Sequence, residues 1–152
     1  GSAATALHFA CDINKGLAKG SRKRFKVICL NENISTITAY ANDMAFEDIF
    51  VEQLKNFLQK EDLVIGISSS GNSENVLKSI AYANKKEAIT FGITGFDGGK
   101  LKKLALHSLV AKSNDVQKIE DTHLILLHMI MQSLKKQNNK STYPKREKSI
   151  KC

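Results

Sequence analysis

The sequence predicts an α/β protein three layers deep, α/β/α, with helices on both faces of a parallel sheet. Two observations carry this expectation. Four short apolar runs rich in β-branched residues recur along the 152 residues, at 25–30, 63–68, 88–94 and 108–112. Between them lie segments whose apolar residues repeat at three- and four-residue steps, the period of a helix with one buried face. Strands covered by helices on both faces read as unbroken apolar runs, not alternating ones. Leu63, Val64, Ile65 and Ile67 form such a run, which places this strand near the middle of the sheet.

In chain order the first element is a helix over 3–13, entered from Gly1 and Ser2. A doubly wound sheet starts with a strand, so the chain is expected to begin mid-domain, lacking its first strand and the helices before it. A strand over 25–30 follows, then helices over 33–40 and 46–58. The strand at 63–68 leads through a serine loop into a helix over 73–84, and the strand at 88–94 runs into Gly95-Phe96-Asp97-Gly98-Gly99. Asp followed by two glycines suits a tight bend with positive φ, and this turn is expected to shape the rim of a site at most. After the strand at 108–112 comes the longest helix, over 116–134, with Ile119, Leu124, Leu127, Met131 and Leu134 at helical spacing.

A chain of this length, 42% hydrophobic, can bury one core, so residues 1–134 are read as a single domain and 135–152 as a tail. The net charge of +8 sits mostly in that tail, where seven basic residues face only Glu147, leaving +2 for residues 1–134. With Pro144, the sole proline, and few apolar groups, the tail is expected to be solvated and disordered. The charge therefore makes no case for nucleic acid. Cys11, Cys29 and Cys152 are an odd count without Cys-x-x-Cys spacing, which argues against a disulfide framework or a zinc knuckle and for reduced thiols in the cytoplasm. No apolar run approaches the roughly 18 residues of a membrane span, and no signal peptide is visible.

The chemistry-bearing segment is Ser68-Ser69-Ser70-Gly71-Asn72-Ser73, followed by Glu74 in the first turn of a helix. A helix N-terminus offers unpaired N–H groups and partial positive charge, and hydroxyls on the preceding loop add donors without bulk. Ser73 as a plain N-cap is the simpler alternative. The position at the carboxyl end of a parallel strand, where open α/β sheets bind ligands, favours an anion cradle. A second set of polar residues lies on the first and last helices. His8 and Asp12, four apart, share a face. Glu120 and His128, eight apart, are separated by about 80° around the axis and can face one cleft. Asp121 and His123 add to this polar crowding, with His123 read as lining or capping the helix pair and His107 as a strand-end residue.

The run from Gly66 to Leu77, together with 3–12 and 120–128, resembles the sugar isomerase (SIS) domain family in its phosphoheptose isomerase branch; the similarity extends from Gly1 to about Leu134. The resemblance implies a flavodoxin-like SIS fold and isomerisation of sedoheptulose 7-phosphate to D-glycero-D-manno-heptose 7-phosphate, which feeds surface polysaccharides such as lipopolysaccharide and capsule. It places Ser2, Ser68, Ser69, Ser70 and Ser73 on the phosphate and Asp43 on the substrate. Asp12 stands as the catalytic carboxylate and His128 as the catalytic histidine. Some family members bind zinc, and the matching positions are His8, Asp12, Glu120 and His128; no nucleotide cofactor is implied. A homotetramer with sites between subunits is the implied assembly.

Three positions depart from the family pattern. Asp12 stands where Glu is common, Glu120 where Gln is common, and Lys15 in a segment that often carries an arginine. Asp is one methylene shorter than Glu, which retracts a base by about 1.5 Å, so Glu120 is the alternative base. The alternative function is a phosphosugar-binding regulator that keeps the serine loop and has no acid–base set. Retention of His8, Asp12, Glu120 and His128 together counts against it.

Overall fold

The computed structural model describes residues 1–18 and 24–140. Strands β1 (Leu63–Ser68), β2 (Ile89–Gly95) and β3 (His107–Ala111) form one open parallel sheet in that order. Leu63 lies opposite Ile89 and Ser68 opposite Thr94, while Phe91 faces His107 and Gly95 faces Ala111. Parallel neighbours need crossovers, supplied by α4 (Glu74–Lys85) between β1 and β2 and by α5 (Gly99–Leu104) between β2 and β3.

The two faces of the sheet are read from the glycines of β2. A side chain at Gly92 would meet Leu101 and Ala105 of the α5 region, whereas one at Gly95 would meet Ile119. Residues an odd number apart on a strand point to opposite faces, so α4 and α5 cover one side. On the other, α1 (Ser2–Gly16) packs against α6 (Val116–Lys140). The architecture is therefore α/β/α, as expected. Leu77, Ile80, Leu101 and Ala105 form the core on the α4/α5 side, with Val64, Val76 and Leu104 packed against them. Beneath α6 the buried line is Ile119, His123 and Leu127, each at most 1% exposed.

Several elements differ from expectation. Residues 24–29 adopt no regular structure. Asn14 Nδ2 donates to Val27 O at 3.0 Å and Gln53 Nε2 to Leu30 O at 2.9 Å, while Phe25 and Ile28 are exposed. A strand exists only beside another strand's backbone, and among the described residues β1 pairs with β2 alone. Hence β1, expected in the middle of the sheet, is an edge, and its run is apolar because helices contact it from both faces.

The helix expected over 46–58 divides into a 3-10 turn, Phe46–Asp48, and α3 (Val51–Lys55), while α2 (Ile34–Asp43) starts at an N-cap, Asn33, whose side chain accepts from Thr36 N. The glycine-rich turn opens a helix of its own, α5. The last helix continues past Leu134 to Lys140, through Lys and Gln residues of good helix propensity. Residues 141–152 of the expected tail lie outside the described residues.

Candidate functional site

The serine loop is held by backbone from both sides. Gly71 takes φ +66°, a conformation glycine adopts without steric penalty, and its N–H donates to Ser68 O at 2.9 Å. A Cβ there would stand 2.7 Å from Gly98 C, so the serine loop and the glycine-rich turn touch backbone to backbone. Gly95 N–H donates to Ser69 O at 2.8 Å, Leu101 N–H to Gly71 O at 2.9 Å, and Lys100 N–H to Asn72 Oδ1 at 3.1 Å. The turn expected only to shape a rim is thus the buttress of the loop.

Ser73 occupies the N-cap of α4 with extended backbone, yet its side chain does not cap. Its Oγ lies 2.9 Å from Ser68 Oγ instead. Among the described hydrogen bonds, the N–H groups of Ser73, Glu74 and Asn75 have no acceptor. They open the helix beside paired hydroxyls, which is the donor arrangement an anion requires. Ser2, in the first turn of α1, reaches the same place, with its Oγ 3.4 Å from Ser69 Oγ. Ser70 is exposed and its Oγ accepts from Asn72 N at 3.1 Å.

Helices α1 and α6 run side by side, so residues along one meet residues along the other in order. Near their start the Gly1 nitrogen lies 3.8 Å from Glu120 Oε1. Further along, His8 Nε2 and His128 Nε2 are 2.9 Å apart, and each lies 3.4 Å from Asp12 Oδ2. The two rings meet edge to face, 5.0 Å between centroids. A tetrahedral zinc site with bonds of about 2.0–2.1 Å sets its ligand atoms roughly 3.3 Å apart. The three donors fit that spacing, and three protein ligands leave a position for water or substrate.

Of the four expected metal ligands, the structure brings together His8, Asp12 and His128; Glu120 stands apart, beside Gly1 and on the serine-loop side. Asp43, at the end of α2, is exposed and accepts from Asn42 Nδ2, with no described bond to the loop or to these helices. Lys15 is exposed in the last turn of α1. His123, read as lining the helix pair, is fully buried, with Nε2 2.8 Å from Thr94 O. Its place in the line Ile119, His123, Leu127 was the available clue, because four-residue spacing puts it on the apolar stripe.

Comparison with known proteins points the same way. Residues 1–95 match the model of the SIS domain family. A phosphoheptose isomerase of Helicobacter pylori is 42% identical over 130 residues, covering 86% of this chain and 67% of that protein. One of Aliarcobacter butzleri is 40% identical over 132 residues, covering 87% and 69%. Among solved structures, a phosphoheptose isomerase from Neisseria gonorrhoeae superposes with a TM-score of 0.81 at 27% identity, over 88% of this chain and 71% of that one. A serine loop at the end of a parallel strand, an acid–imidazole group between two helices and these relatives converge: the chain belongs to the SIS-domain family, among the phosphoheptose isomerases.

Proposed function

We propose that the protein is an aldose–ketose isomerase that converts sedoheptulose 7-phosphate to D-glycero-D-manno-heptose 7-phosphate in the cytoplasm. The observation that carries this reading is the meeting of His8, Asp12 and His128 on two helices, the first of which starts at Ser2 against the serine loop and beside Glu120 of the second. One end of that cleft suits a phosphate, and the other suits proton transfer at the far end of a short sugar chain.

Ser2, Ser68, Ser69, Ser70 and Ser73 hold the phosphate, with the open N–H groups of α4 supplying charge-assisted donors. Moving the carbonyl between C1 and C2 requires a proton to leave one carbon and return to its neighbour through an enediol. Asp12 or Glu120 takes the carbon proton, and His128 moves the oxygen proton. Each such group, when placed and poised, contributes about 10²–10⁴-fold. Zinc held by His8, Asp12 and His128 would instead supply Lewis-acid stabilisation of oxygen charge in place of the proton that His128 moves, leaving Glu120 as the base.

Leu7 on α1 and Ile125 and Met129 on α6 expose apolar side chains on the helix pair that carries the site. They support assembly of several copies, read here as a homotetramer, and light scattering measures its mass.

The decisive experiment follows sedoheptulose 7-phosphate in D₂O by proton NMR, with and without zinc. An aldose anomeric signal and deuterium at the exchanged carbon are expected. Bound but unchanged sugar would overturn the isomerase reading in favour of a phosphosugar-binding regulator. Asp12→Asn and Glu120→Gln divide the base assignment, because loss of deuterium exchange identifies the group that takes the carbon proton.

A further inference from the structure

The peptide unit between Thr94 and Gly95 is gripped at both ends. Its carbonyl accepts a hydrogen bond from His123 Nε2 on α6 at 2.8 Å, and its N–H donates to Ser69 O in the serine loop at 2.8 Å. A carbonyl only accepts, so the imidazole proton sits on Nε2. Nδ1 of the same ring is then an acceptor, buried and without a partner among the described residues. A leucine in the stripe of Ile119 and Leu127 would fill the space without the unpartnered Nδ1 but would take the donor from Thr94 O, so the histidine is there for that bond and not for packing alone.

We propose that His123 is a positioning residue: through the rigid Thr94–Gly95 peptide it sets the distance between the acid–base helix and the phosphate loop. The peptide is planar, and accepting at its oxygen strengthens donation from its nitrogen. Gly95 has no side chain, and Ile119 packs where its Cβ would be, so α6 rests directly on this unit. His123 lies three residues after Glu120 and five before His128, so a shift of α6 at His123 moves both relative to a phosphate held at Ser69.

The proposal rests on the isomerase reading for its consequence in catalysis, and its test keeps the two apart. In the full chain, His123→Leu removes the donor and the orphaned atom, while His123→Gln retains an N–H at comparable reach. A misplacement of ~1 Å costs up to about 10²-fold in rate. His123→Leu is therefore expected to lower kcat about 10- to 100-fold with KM little changed, and His123→Gln to recover most of it. Equal kcat in His123→Leu and the parent, or equal impairment in both variants, overturns the proposal.

A second readout needs no turnover. The Gly95 amide proton resonance should move upfield in His123→Leu, as its bond to Ser69 weakens, and return in His123→Gln. An unmoved resonance overturns the link even where the parent protein fails to isomerise the sugar. If His123→Leu does not fold, a Gly95 resonance displaced from the parent's in His123→Gln overturns it instead.

Discussion

Gly95→Ala tests the seat of α6 directly. The glycine is buried at the end of β2, and its φ lies outside the left-handed region, so the substitution brings no backbone strain. The effect is steric. An added Cβ would stand 2.6 Å from Ile119 Cγ2 and 2.7 Å from Ile119 Cγ1, with Cδ1 closer still. Three contacts on one fully buried side chain cannot be relieved by a single rotamer change, so α6 has to move away from the sheet.

Overpacking of this kind costs about 1–3 kcal/mol. With a urea slope of about 1–3 kcal/mol per molar, the unfolding midpoint should fall by roughly 1 M at an unchanged slope. Turnover should fall with it, because Gly95 N–H also carries the bond to Ser69. Ile119→Ala alone empties a buried site and should cost about 2–5 kcal/mol. In the double variant the new methyl enters the space that Ile119 vacates, so the two losses should sum to more than the measured total, by about 0.5–3 kcal/mol. Strict additivity in denaturant titrations would refute the packing of α6 on Gly95.

Three further outcomes are expected. Ser70→Ala should weaken phosphosugar binding by about 1–3 kcal/mol in calorimetric titration, the value of a charge-assisted bond; unchanged affinity would remove the exposed hydroxyl from the site. His128→Ala should lower turnover at least 10²-fold while leaving sugar affinity nearly intact, and a fully active variant would refute its role in proton transfer. Burial pushes the Cys29 thiol above its ordinary value, aided by Glu32 and opposed by the Asn31 bond. Its thiol should therefore label more slowly with a thiolate-directed reagent than exposed Cys11, as peptide mass mapping would show. Because the folded state prefers the protonated thiol, stability from this group is present below its ordinary value of 9.0 and is lost as pH rises above it.

The sheet and its helical layers were legible because period and run length are local properties. Leu63–Ser68 and Ile89–Gly95 formed essentially where their apolar runs lie. Residues 25–30 looked equally strand-like, but pairing depends on a neighbour's backbone, which no run of Val and Ile can announce. The serine loop was readable from hydroxyls, glycine and a helix start in succession. Its buttress was not, since nothing in Gly95–Leu101 specifies that its amides point at a loop some 25–30 residues earlier in the chain. His8 and Asp12 share a face by spacing alone, and His128 reaches them only through the alignment of α1 with α6. Glu120 lies about two turns back along the helix, and a wheel projection discards that axial distance: at 1.5 Å per residue, eight residues are about 12 Å.

The clamp on the serine loop also bears on when the site comes into being. Its shape depends on amides from Gly95, Lys100 and Leu101, so a chain that has completed only β1 and α4 possesses the hydroxyls but not the cradle. Contacts of such separation form after the intervening loop is closed, late compared with a helix turn. Phosphate affinity should then emerge in refolding together with the β2–α5 unit, not with the helix that bears the serines. A ligand present at 100 times its Kd would hold that unit in place by about 2.7 kcal/mol, so a sugar phosphate bound at the loop would act as a fastener for the part of the fold that closes around it.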